Sequence, residues 1–175
     1  MRRSGHLKVL ASLNAARVDY LLVGALALGH YVPEAAAFYV TADCDILVRP
    51  TAANLRRALR VLTRHGYRLS AGGEPLPDLD ALILKRLLER RMTVRSESDA
   101  GMPIDVLVDA IGFTFEQWRR GRTLFKIQGV RVPCAGMMDV VESKRQAGRD
   151  KDKKLLSLYE TAYKKLPKSG ILDKR

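Results

Sequence analysis

The sequence predicts an α/β fold: a small, mixed and strongly twisted sheet with helices mainly on one face, followed by a C-terminal helical pair. Three observations lead there. Short apolar runs of strand type, Tyr20-Leu-Leu-Val and Ile46-Leu-Val, alternate with stretches whose apolar residues recur at helical spacing, such as Leu55, Leu59 and Leu62. Two later pairs of strand-like runs are each joined by a polar turn, which is the pattern of antiparallel hairpins. From Met137 to Lys164 the periodicity is helical throughout, broken only at Gly148.

Taken in order, Leu7, Leu10 and Leu13 mark a first helix over 7–16, ahead of the strand at Tyr20. That strand ends on Gly24, and Ala25-Leu-Ala-Leu-Gly-His-Tyr opens a second helix with little side chain at its start. The next strand lies within Phe38 to Pro50. Pro50 stops it, and Thr51 is placed to cap the helix carrying Leu55, Leu59 and Leu62, which Gly66 terminates. On the other side of this helix, Arg56, Arg57, Arg60 and Arg64 form a basic face that is either solvated or a surface for a polyanion. Ser70 to Asp80, with Gly72-Gly73 and two prolines, reads as a loop bordering a site, and a helix begins near Leu79. Met92-Thr-Val-Arg-Ser and Pro103-Ile-Asp-Val-Leu-Val are two strands around a turn at 98–101. A capped short helix starts at Thr114, a hairpin turns on Gln128-Gly129, and two helices occupy 137–147 and 150–164. We expect a catalytic core over 1–135, the helical pair over 136–165 packed on it, and a basic mobile tail over 166–175.

The 175 residues suffice for a real hydrophobic core, and 47% apolar with 29% charged residues is the balance of a globular chain. A net charge of +12 favours a polyanionic partner such as RNA or DNA, or a nucleoside triphosphate. Cys44 and Cys134 stand far apart without a C-x-x-C pair, which argues against a zinc site or disulfide framework and for buried thiols in a reducing compartment. No apolar run reaches the ~20 residues of a membrane span, and the basic start is not followed by a signal-like apolar region, so a cytoplasmic location without membrane partners is expected.

Chemistry concentrates around Asp43 and Asp45. In a strand, residues two apart project from the same face, so their carboxylates lie side by side and repel one another. Such a pair asks for a divalent cation or a shared proton, unless both acids are simply solvated. Asp105 sits within an apolar strand, opposite in facing to Ile104, Val106 and Val108; an unpartnered carboxylate there would be costly, and the same cation is a suitable partner. Upstream, the strand, Gly24 and helix start present bare backbone N–H groups to a polyphosphate. Lys144 shares a helix side with Met137, Val140 and Val141, so it points inward and needs an anion, either a phosphate or an acid of the neighbouring helix such as Asp150 or Glu160. A dinucleotide-binding fold lacks support because Gly24 to Gly29 has no G-x-G-x-x-G spacing. A haloacid-dehalogenase-like site would place its apolar strand before the aspartate pair, whereas Ile46-Leu-Val follows it.

Four pieces in order, Leu22-Val-Gly-Ala-Leu-Ala-Leu-Gly-His, Val40-Thr-Ala-Asp-Cys-Asp-Ile-Leu-Val, Ile104-Asp-Val-Leu and Glu142-Ser-Lys-Arg-Gln-Ala-Gly-Arg-Asp-Lys-Asp, resemble the nucleotidyltransferase superfamily with the polymerase-beta-like catalytic fold. The likeness is to its small bacterial members related to abortive-infection and toxin–antitoxin nucleotidyltransferases, and it spans most of 7–159. It implies transfer of a nucleoside monophosphate from an NTP to an acceptor hydroxyl, with Mg²⁺ or Mn²⁺ held by Asp43, Asp45 and Asp105. It further implies nucleotide contacts from Gly24, Ala25, Thr41, Lys144 and Arg149, an RNA end (tRNA) or protein as acceptor, and a cognate antitoxin as partner. Two departures stand out: Ala25 replaces the usual glycine or serine, and Tyr39 stands where small toxin-type relatives often carry arginine. A non-catalytic nucleotide- or RNA-binding module of the same fold is the alternative these departures allow.

Overall fold

The computed structural model describes residues 5–33, 43–99 and 101–165. Thr41 and Tyr39, the first part of the Phe38 to Pro50 stretch, and the tail over 166–175 lie outside them. The described elements are α1 (Gly5–Ala15), β1 (Tyr20–Val23), α2 (Gly24–Tyr31), β2 (Cys44–Val48), α3 (Ala52–Arg64), β3 (Arg68–Ala71) and β4 (Glu74–Pro75), then α4 (Ala81–Glu89), β5 (Val94–Ser98), β6 (Gly101–Leu107), α5 (Phe115–Arg120), β7 (Thr123–Ile127), β8 (Val130–Cys134), α6 (Met137–Ala147) and α7 (Asp150–Lys165). The strands form one eight-stranded sheet in the order β4-β3-β5-β6-β2-β1-β8-β7. It is mixed: β2 runs antiparallel to β1 but parallel to β6, and β1 runs parallel to β8.

Local chemistry sets many of the boundaries. The Thr51 hydroxyl accepts from the Asn54 N–H at 3.3 Å and starts α3, while Asp80 caps α4 by accepting from Ile83 at 2.8 Å. Thr114 and Gln117 form a reciprocal capping box on α5. Gln128 and Gly129 both hold positive φ, 48° and 80°, as the tight β7–β8 hairpin requires. The same device shapes 70–80: Gly72 and Gly73, with φ of 60° and 87°, turn the chain into the β3–β4 hairpin at an outer edge of the sheet, and Ser70 at its start stands in register with Arg95 of β5.

Helices cover both faces of the sheet, not mainly one. Tyr20, Leu22, Ile46, Val48, Ile104 and Val106 face a core built with Leu10 and Leu13 of α1, Leu55, Leu59 and Leu62 of α3, and Leu84 of α4. The alternate residues Leu21, Val23 and Leu47 face a second core with Trp118 of α5, Val140 and Val141 of α6, and Tyr159 of α7. The four successive buried residues of β1 are the pattern of a strand covered on both faces. The C-terminal helices thus form one wall of the second core. Arg49, just past β2, braces that side: it meets Asp19 at 2.7 Å and Glu116 at 2.6 Å, and its guanidinium lies 5.2 Å from the centre of the Phe115 ring.

The two-layer arrangement has a direct test. Ile46→Ala and Leu47→Ala each empty a fully enclosed site on opposite faces, so each should lower the unfolding free energy by about 2–5 kcal/mol in urea titrations. If Leu47→Ala proves nearly neutral beside Ile46→Ala, the second core is not packed.

Candidate functional site

Strand register brings the predicted acids together. Asp45 on β2 pairs with Val23 of β1 on one side and with Asp105 of β6 on the other, and Asp105 in turn pairs with Arg95 of β5. Registered neighbours project from the same face of a sheet, so Val23, Asp45, Asp105 and Arg95 form a row across it on the side of the second core. Asp43 stands one residue ahead of β2 rather than inside the strand. It joins the group through Arg95, whose Nη1 donates to Asp43 Oδ1 at 3.0 Å and to both Asp105 oxygens at 3.1 Å. The Arg95 Nε donates to Glu97 at 3.2 Å.

This arrangement shifts two ionisations. Burial pushes the Asp105 carboxyl above the usual aspartate range, and the Arg95 hydrogen bond and charge only partly offset it, while Asp43 and Glu97 add repulsion. Desolvation works against the Arg95 cation, but its bonds to Glu97, Asp105 and Asp43 together hold its pKa above that of a free arginine. Both members of the pair are raised because burial outweighs the ion pair at Asp105, whereas the acids outweigh burial at Arg95.

Gly24 opens α2 with φ of 72° and lies against Asp45 so closely that a Cβ built there would sit 2.2 Å from Asp45 Oδ2. Only glycine meets both conditions, so the turn and the acid specify one another. Gly24 and Asp45 line a cleft of about 300 Å³, with Leu107 and Trp118 on its apolar side and Lys144 and Arg149 on its basic side. Ala25 follows directly in α2 and is half-buried. Lys144 points inward as its helical position requires, yet its anion is neither Asp150 nor Glu160. Its Nζ meets the buried Asp152 of α7 at 2.7 Å, while Asp150 pairs with Lys153 and Glu160 with Arg145. Arg149 is exposed and has no ion-pair partner among the described residues. The arginine face of α3 lies on the opposite side of the sheet, and Arg57, Arg60 and Arg64 are exposed there.

The donor set of Asp43, Asp45 and Asp105 has the hard oxygen chemistry that Mg²⁺ or Mn²⁺ takes. Among the described residues, however, no three acids, histidines or cysteines are gathered around one point, and a nitrogen of Arg95 stands between Asp43 and Asp105. The residues therefore suit a divalent cation in chemistry, with one cationic side chain already at the carboxylates. Arg95 is the functional residue that sequence reasoning missed. Counting back from the turn, where Ser98 pairs with Gly101, places Arg95 opposite Ile104 and on the wrong face. A bulge between Ser96 and Ser98 moves the register by one and brings it opposite Asp105. The available signal was a charged pair, Arg95 and Glu97, at alternate positions beside the acid-bearing strand.

No protein-family model matches the chain, and no curated protein matches it.

Two substitutions test this construction. Gly24→Ala should destabilise well beyond the ~1–2 kcal/mol of left-handed backbone strain, and in an Asp45→Ala background only that strain should remain. A double-mutant cycle showing no coupling would mean that Gly24 and Asp45 do not touch. Lys144→Met strands Asp152, which is 2% exposed, so it should cost about 3–5 kcal/mol by urea or thermal unfolding. A variant that unfolds like the wild type would dissolve the buried pair.

Proposed function

We propose that the chain is a metal-dependent nucleotidyltransferase of the polymerase-beta-like fold. It transfers a nucleoside monophosphate from an NTP to a hydroxyl of an RNA end, such as that of tRNA, or of a protein. The observation that carries this reading is the in-register pair Asp45 and Asp105 on adjacent parallel strands, with Asp43 tied to Asp105 through a single nitrogen, beside the Gly24 turn. Asp43, Asp45 and Asp105 would hold Mg²⁺ or Mn²⁺, which when bound neutralises triphosphate charge and polarises the phosphorus under attack. Backbone N–H groups at Gly24 and Ala25 face the phosphates, and Arg149 supplies a cation that no acid among the described residues occupies. Lys144 is committed to Asp152 and acts on the phosphates by holding the joint that presents Arg149. The apolar side at Leu107 and Trp118 suits a flat base.

In this reaction the acceptor hydroxyl gives its proton to the Asp105 carboxylate. The acceptor oxygen forms a bond to the α-phosphorus, the bond from that phosphorus to the bridging oxygen breaks, and pyrophosphate leaves with the electron pair. A role as a toxin restrained by a cognate antitoxin in the cytoplasm suits this activity. The second reading, a non-catalytic nucleotide- or RNA-binding module, draws on Arg95, which already neutralises part of the acid cluster.

Incubating the protein with each α-labelled triphosphate, Mg²⁺ and total RNA separates the two readings. Label should pass to RNA or protein, and Asp45→Asn or Asp105→Asn should reduce transfer by about 100-fold or more. No transfer with any of the four triphosphates, alongside nucleotide or RNA binding, would establish the binding module instead.

A further inference from the structure

The least expected feature of the acid row is that a cation of the chain itself occupies it. Arg95 Nη1 lies within hydrogen-bond reach of three carboxylate oxygens on two acids, at 3.0 and 3.1 Å. A guanidinium cannot lose its proton at any ordinary pH, so it leaves this position only by moving. The structure gives it somewhere to go. Glu97, which stands at the β5 bulge two residues along, already accepts from Nε at 3.2 Å, and its side chain is more exposed than that of Arg95, 58% against 36%. The guanidinium is therefore shared between an inner pair of acids and an outer one on its own strand.

We propose that Arg95 is the resident counter-cation of the Asp43 and Asp105 carboxylates, and that a divalent cation binds by displacing it toward Glu97. This rests on the nucleotidyltransferase reading, in which those acids hold the metal. The physical basis is an exchange. Without a metal, Asp43 and Asp105 repel one another, and Arg95 offsets that repulsion. A divalent ion brings twice the charge and would take the space between Asp43 and Asp105 where the Arg95 Nη1 now lies, and two cations crowded there repel one another. Metal binding must then break the charge-assisted bonds from Nη1, and the apparent affinity is weakened by that amount. Arg95 thereby sets the metal concentration at which the acids become a metal site. Glu97 sets it from the other side by stabilising the displaced guanidinium.

The experiment uses the full chain. Mn²⁺ binding is followed by calorimetry and by the loss of the free-ion paramagnetic signal in the wild type, Arg95→Met and Glu97→Gln, with thermal unfolding in chelator and in Mn²⁺. Arg95→Met should bind Mn²⁺ about 10-fold tighter or more, the size of one lost charge-assisted contact. It should also melt lower than the wild type in chelator and recover when Mn²⁺ is added. Glu97→Gln should bind Mn²⁺ more weakly, because the guanidinium loses its outer partner, and it provides the test should Arg95→Met fail to fold. If the wild type binds Mn²⁺ and Arg95→Met binds it equally or less well, or Glu97→Gln binds it more tightly, the displacement is wrong while the acids remain a metal site. If neither the wild type nor Arg95→Met binds Mn²⁺, the displacement falls together with the metal reading of the acids.

Discussion

Strand β2 is held between an antiparallel partner and a parallel one with both faces buried, and this double constraint on its register is what the candidate site depends on. A slip of one residue against β1 or β6 would turn Ile46 and Val48 away from the core of α1 and α3 and drive Asp45 into it. Burying an unpaired carboxylate among leucines costs several kcal/mol, so the same hydrophobic pattern that locks the sheet also aims the acid outward. Gly24 adds a second lock. The absence of a side chain there leaves the space that Asp45 Oδ2 occupies, and the positive φ that glycine tolerates starts α2 at the end of β1.

Charge is the second organising theme. The chain carries a net charge of +12, and near the cleft three of its cations stand against acids while Arg149 is left exposed. Arg95 answers Asp43 and Asp105, Arg91 meets Asp109 at 3.3 Å, and Lys144 answers Asp152 at the junction of α6 and α7. The last pair is the most buried of these. Its worth is positional, since an ion pair in a low-dielectric setting gains little over apolar packing but strongly resists the loss of either partner. By holding the first turn of α7 against α6, it sets where the Gly148 turn and Arg149 lie relative to Gly24 and Asp45. Gly148 itself takes a left-handed conformation, φ 63°, which ends α6 and lets α7 double back.

These two themes meet in the acid row. Carboxylates brought close together store electrostatic repulsion, and Arg95 of the next strand answers it at Asp43 and Asp105. The acid row thus has a counter-charge supplied by the fold itself.

Much of this was legible in the residues themselves. Apolar periodicity located α1, α3, α6 and α7, turn and cap chemistry located the ends of α3, α5 and the β7–β8 hairpin, and an acid inside the apolar run at Asp105 announced a partnered carboxylate. These are local signals, carried by spacing and by the conformations that Gly, Pro and Thr prefer. What only the tertiary structure decided depends on which strand lies beside which. The bulge that brings Arg95 opposite Asp105 turns on a register shift of one residue, which leaves the local pattern almost unchanged but reverses the direction of the side chains. The choice of Asp152 rather than Asp150 or Glu160 for Lys144, and the helical layer on the second face, turn on how α6 and α7 pack on one another and on the sheet, which spacing along the chain does not specify.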